Sequence, residues 1–151
     1  MRVRNNPNAK NELSACEKFI SSKEELERVL KYNKDKKINI EVGMGKGEFI
    51  TNLSFNNKDE IFIGIEVCES VMALAIKKIK RFEESNNIKL ENLYLMSFDA
   101  KRLSEFFEEH TIDKLYLNFS DPWPKKKHAK RRLTSKDFLK EFKKKKKNGS
   151  V

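Results

Sequence analysis

Four acidic residues stand where an apolar, strand-like run gives way to a turn: Glu41, Glu66, Asp99 and Asp121. Carboxylates so placed can pair with a cationic ligand or accept hydrogen bonds from ribose hydroxyls and amines. Glu41 opens the run Glu41-Val42-Gly43-Met44-Gly45-Lys46-Gly47, in which Gly43 and Gly45 let the backbone turn tightly and approach a ligand without a Cβ in the way. Glu66 follows 23 residues after Gly43, the distance at which an acid reaches a ribose bound against the glycine turn. A dinucleotide fingerprint would need its third glycine at position 48, which is Glu48, and Lys46 alone does not make a P-loop. An acid at the strand end suits a cationic, amino-acid-bearing ligand, and S-adenosylmethionine combines a sulfonium, an ammonium and a ribose. A glycine turn without a ligand is the alternative. Asp99 has two readings: an acceptor for an exocyclic amine of adenine, or the N-cap of the helix that follows.

The densest chemistry lies between Asn118 and Leu133 (NFSDPWPKKKHAKRRL). Pro122 and Pro124 forbid a helix or a central strand, so the segment is a shaped loop. It presents a carboxylate, Asp121, then the aromatic plane of Trp123, then the basic run Lys125, Lys126, Lys127, His128, Lys130, Arg131 and Arg132. A carboxylate, an aromatic and phosphate-binding cations together are what an enzyme acting on a nucleic-acid base requires.

The elements that must position these residues alternate. Ser22–Tyr32 places Leu26, Val29 and Leu30 on one helical face, with Ser22 as cap. Ile38–Val42, Ile61–Glu66, Leu93–Met96 and Leu115–Phe119 read as strands. Glu48–Phe55, Glu69–Glu84 and Leu103–Phe107 read as the helices between them, the second with Val71, Leu74, Ala75, Lys78 and Ile79 at helical spacing. Thr134 opens a final helix with Asp137 as capping partner. Strand–helix alternation predicts an α/β fold with a parallel sheet, whose ligands sit at the carboxyl ends of the strands.

The chain has 151 residues, enough for one domain. Its two cysteines and two histidines leave no metal motif and no disulfide framework. No apolar run approaches the roughly 20 residues of a membrane span, so a soluble cytoplasmic protein with no membrane partner is expected. The net charge of +10 is unevenly placed. Thirteen of the 33 basic residues and only two of the 23 acids fall from Pro124 onward, which leaves the first 123 residues within one charge of neutrality. Such a block attracts polyanions, nucleic acid foremost.

The segment from Asn118 to Leu133, with the glycine run, Gly64-Ile65-Glu66-Val67 and the opening Met1-Arg2-Val3-Arg4-Asn5-Asn6-Pro7, resembles the bacterial tRNA (guanine-N(7)-)-methyltransferase family. The resemblance implies a Rossmann-like class I S-adenosylmethionine-dependent methyltransferase domain over residues 1–151, with 124–132 as an RNA-contact loop. It implies that the C-terminal strands of that fold are missing, because the family pattern continues with a fifth strand, a Thr-Asp-Asn motif and a Thr-x-x-Glu-like motif. It also implies methyl transfer from S-adenosylmethionine to a guanine in the variable loop of tRNA. Glu41, Glu66, Asp99 and Asp121 match the family's cofactor-contacting acids, and Asp121 its active-site carboxylate. Lys125 matches a substrate contact, within a stretch, Lys125 to Lys130, attributed to RNA. A catalytically silent fragment that keeps RNA or cofactor binding is the second reading. An amino-directed nucleic-acid methyltransferase is the third; there an Asp/Asn-Pro-Pro-aromatic order is expected, and Asp121-Pro122-Trp123-Pro124 breaks it. The sequence leaves monomer and homodimer equally open.

Overall fold

The computed structural model describes residues 3–108 and 111–118. Five helices and four strands follow one another as α1 (Ala9–Ala15), α2 (Lys23–Tyr32), β1 (Ile38–Val42), α3 (Glu48–Asn56), β2 (Ile61–Ile65), α4 (Glu69–Asn86), β3 (Leu93–Met96), a 3-10 turn (Ala100–Arg102) with α5 (Leu103–Phe106), and β4 (Lys114–Leu117). The strands form one parallel sheet in the order β3-β2-β1-β4. The chain thus winds outward from β1 to β3, then returns across β1 to lay down β4, and strand order reverses between β1 and β4.

Side chains alternate across the sheet, as a two-residue period requires. Ile38, Ile40 and Val42 of β1, with Ile61, Ile63 and Ile65 of β2, pack with Leu26 of α2 and with Leu103 and Phe107 on one face. On the other, Phe62, Leu93 and Leu95 pack with Leu13 of α1, Ile50 of α3 and Met72, Ala75 and Ile79 of α4. β1 and β2 are buried along their whole length; β2 accordingly reads as a continuous apolar run, whereas β1 alternates its isoleucines and valine with the buried Asn39 and Glu41. Each fully buried isoleucine contributes about 1.5–3 kcal/mol relative to an exposed one.

Helix α2 begins as predicted: the Ser22 hydroxyl accepts from the backbone N–H of Glu25 at 3.1 Å. In α4 the inner face is Met72, Ala73, Ala75 and Ile79, whereas Val71 and Leu74 are only half-buried and Lys78 turns outward to pair with Glu48. The predicted apolar stripe is therefore rotated, with Ala73 and Ala75 inside the cluster that includes Phe62, Leu93 and Leu95. Helix α1 carries no apolar stripe that predicts it; only Ala9 and Leu13 are buried, and it docks on α4. The free edge of β3 is covered by the N-terminal segment, where Leu95 donates to the Lys18 carbonyl at 3.0 Å and Ile20 donates to that of Leu95 at 2.8 Å. The helix predicted from Thr134 lies outside the described residues. No helix among the described residues is long and apolar enough to cross a membrane.

Candidate functional site

The carboxyl ends of all four strands come out along one line. Val42 pairs with Ile65 on one side and Leu117 on the other, and Ile65 pairs with Met96. The next residues, Gly43, Glu66, Ser97 and Asn118, therefore form the rim of the sheet. Backbone bonds fix three of them: Gly43 and Met44 both donate to the Ile65 carbonyl (2.9 and 3.1 Å), Glu66 to that of Met96 (3.2 Å) and Asn118 to that of Val42 (3.2 Å).

Between β1 and α3 the chain makes its glycine turn. Gly43, Gly45 and Gly47 have φ of 76°, 58° and 81°, a region that disfavours any residue with a Cβ. Met44 folds down from this turn into the core, onto Gly64, the penultimate residue of β2. A Cβ on Gly64 would collide with the Met44 sulfur and would lie 3.4 Å from Ile50 Cδ1.

The carboxylates anchor the same turn. Glu66 Oε1 accepts from the N–H of Gly45 at 3.1 Å and Oε2 accepts from that of Cys68 at 2.9 Å. Each oxygen keeps a second lone pair for a ligand. Glu41 is fully buried, flanked in the ladders by Gly64 and Tyr116. Its Oε2 accepts from Asn118 Nδ2 at 3.2 Å, and its Oε1 has no hydrogen-bond partner among the described residues. Burial pushes the Glu41 carboxyl up to about 7; the Asn118 hydrogen bond pulls it back down, and the Glu66 charge adds to the rise. A buried carboxylate with one oxygen unmet is a site prepared for a cation or a donor.

Asp99 follows β3 on the same rim, exposed, with Oδ1 accepting from the Lys101 N–H at 3.0 Å, so the capping reading holds for that oxygen. The structure thus brings Glu41, Gly43, Gly45 and Glu66 together around one turn, with Asp99 two strands from β1. Asp121, Lys125, Lys126, Lys127, His128, Lys130 and Arg131 lie outside the described residues. Three further residues stand at this rim and turn, none of them given a role by the sequence. Asn118 gives no signal beyond its place after an apolar run. Met44 reads as an arbitrary spacer between glycines. Val67 is 61% exposed immediately beyond Glu66, and its apolar surface on the rim is visible only once the strand end is located.

A cavity of about 540 Å³ opens elsewhere, between α1 and α4, and includes Glu12, Cys16, Lys18 and Glu83. Two of its lysines are paired within it: Lys18 Nζ donates to the Leu90 carbonyl at 2.7 Å and pairs with Glu83 at 2.9 Å, and Lys77 pairs with Glu12 at 3.5 Å. No group of three metal-ligating side chains occurs among the described residues.

Comparison with known proteins agrees with this architecture. Two solved structures share the fold: one described as an antibiotic related methyltransferase (TM-score 0.59, 22% identity, 83% of this chain and 59% of that one), the other as a SAM dependent methyltransferase from Aquifex aeolicus (TM-score 0.50, 22% identity, 81% and 58%). A curated tRNA (guanine-N(7)-)-methyltransferase of Geobacillus thermodenitrificans is 43% identical over 142 residues, which is 92% of this chain. The chain spans about 63% of the length of the first such relatives it matches. A family described as "Putative methyltransferase" matches residues 35–151. With more than half of its length matched and the Rossmann-like methyltransferase fold in place, the chain belongs to this methyltransferase family.

Proposed function

We propose that the chain carries the cofactor-binding half and the catalytic loop of a tRNA (guanine-N(7)-)-methyltransferase, which transfers a methyl group from S-adenosylmethionine to a tRNA guanine. The observation that carries this reading is Glu41: a fully buried carboxylate beside the glycine turn, with one oxygen lacking a donor among the described residues. That is the environment an ammonium would complete, so the residues present fit the cofactor. The 43% identity to a relative of that name supports the choice of substrate.

When bound, S-adenosylmethionine supplies an electrophilic methyl group on a sulfonium. Glu41 Oε1 would take the ammonium of its amino-acid end. The remaining lone pairs of Glu66 would accept from the ribose hydroxyls, and Val67 would offer apolar surface to the adenine, from whose exocyclic amine Asp99 would accept. Gly43 and Gly45 allow the backbone to lie against the ligand. N7 of guanine already holds an in-plane lone pair, so the chain need not supply a strong base; positioning provides most of the acceleration. The base becomes cationic on alkylation. Asp121 would stabilise that charge or orient the base by accepting from its N–H edge. Lys125, Lys126, Lys127, His128, Lys130 and Arg131 would hold tRNA phosphates.

The test is incorporation of label from methyl-labelled S-adenosylmethionine into unmodified tRNA, followed by nucleoside analysis. Label in 7-methylguanosine is the expected result. Label in an exocyclic-amine product would overturn the N7 assignment. Salt-sensitive tRNA binding without incorporation would identify a binding unit instead of an enzyme.

A further inference from the structure

Glu41 and Asn118 come from opposite sides of the point where strand order reverses, 77 positions apart in the chain. The backbone of Asn118 is fixed by its 3.2 Å bond to the Val42 carbonyl, which carries the β1–β4 ladder one residue past the strand. Its carboxamide is the one side-chain donor to Glu41 among the described residues, at 3.2 Å. No cation pairs with Glu41 there. From β2 it meets Gly64, which offers no side chain, and from the end of β2 the like charge of Glu66. From β4 its ladder partner is Tyr116, whose ring packs edge-on against Phe49 of α3. A carboxylate in this setting stays ionised only with a donor aimed at it.

We infer that Asn118 is a positioning residue of the cofactor site: its amide occupies Oε2 of Glu41, favouring the charged carboxylate and leaving Oε1 to face the cofactor's ammonium. This rests on the reading above that the strand rim takes S-adenosylmethionine. Asn118 also stands three residues before Asp121 in the sequence. Without the amide, Glu41 holds its proton to higher pH and attracts an ammonium less. The loss is therefore largest at and below neutrality and shrinks as pH rises, whereas a merely structural role would weaken binding equally at every pH.

The experiment titrates S-adenosylhomocysteine, which keeps the ammonium, into the full chain by calorimetry from pH 6 to 8.5. It compares the wild type with Asn118→Ala and Asn118→Asp, and with Asn118→Ser should either melt below the assay temperature. In parallel, ¹³C NMR follows the Glu41 carboxyl carbon, assigned by its absence in Glu41→Gln. Asn118→Ala should bind about tenfold more weakly at pH 7, as expected for loss of a hydrogen bond to a charged group. The gap should narrow to about twofold at pH 8.5, and the Glu41 midpoint should move up. Asn118→Asp should move it further, by adding a like charge. An unmoved midpoint, or a loss of affinity parallel at all pH values, overturns the inference. Wild-type protein that gives no heat at any pH overturns the cofactor reading and with it the ligand role assigned to Asn118; the midpoints then report separately whether Asn118 holds Glu41 ionised.

Discussion

Met44 rests on Gly64, filling the space where any other residue of β2 would carry its Cβ. The contact joins the glycine turn to the carboxyl end of the neighbouring strand, so the turn is set by packing from below as well as by its own φ angles. Gly64→Ala should lift Met44 off the strand at a cost of about 1–3 kcal/mol, typical of overpacking a well-filled core. Affinity for S-adenosylhomocysteine should fall with it. Thermal melting and calorimetry on the same sample check both, and an unchanged affinity would show that the turn does not depend on Met44.

Glu41 should make stability depend on pH in the unusual direction. Its carboxyl is raised from 4.5 to about 7 in the folded chain. Between those values the folded state holds a proton that the unfolded state has lost, so this contribution is full below about pH 4.5 and declines until about pH 7. The decline is on the order of 3 kcal/mol. Glu41→Gln removes the titration, so the variant should gain on the wild type steadily from pH 5 to pH 7 and hold that gain at pH 8, while losing cofactor affinity. Urea denaturation across this pH range measures it; a pH-independent difference would mean that Glu41 titrates as an ordinary carboxylate.

Much of this rim was legible in the sequence, for a physical reason. A strand buried on both faces, as β2 is, reads as nearly all apolar, and strand limits show as abruptly as the step from Val42 to Gly43. β1 and β3 accordingly have the predicted bounds, and Glu41, Gly43, Gly45 and Glu66 converge where the strand ends put them. Helix α1 was not legible, because a seven-residue helix burying only Ala9 and Leu13 leaves no periodic trace. Nor was the partnership of Asn118 with Glu41, since residues so far apart meet only through strand order. Glu66 was read as a ligand acceptor alone; that it also pins Gly45 and Cys68 follows from backbone directions that no residue pattern encodes.

Asp121→Ala should abolish methyl incorporation while leaving S-adenosylhomocysteine affinity within about threefold, because Glu41 and Glu66 hold the cofactor without it. Incorporation assays and calorimetry on one preparation separate the two. Equal loss of both would assign Asp121 to cofactor binding.

Replacing Lys125, Lys126 and Lys127 together with glutamine should weaken tRNA binding and reduce the slope of log K against log salt by about 2–3, close to one unit for each phosphate no longer neutralised. Anisotropy titrations across a salt series give the slope. If it is unaltered, these lysines are solvated surface.

The pairing of the N-terminal segment with β3, through Phe19 and Leu95, has a consequence for how the chain is made. Synthesis delivers Phe19 early, yet its partner emerges from the ribosome only after β1, α3, β2 and α4 have been produced. Helix α1 can dock once α4 is made, but the Lys18–Ile20 stretch lacks its strand partner until β3 appears, so this edge pairing forms after α1 has its helix partner. A nascent chain stalled before Leu95 would leave Lys18–Ile20 open to proteases, and one stalled well past it would shield them.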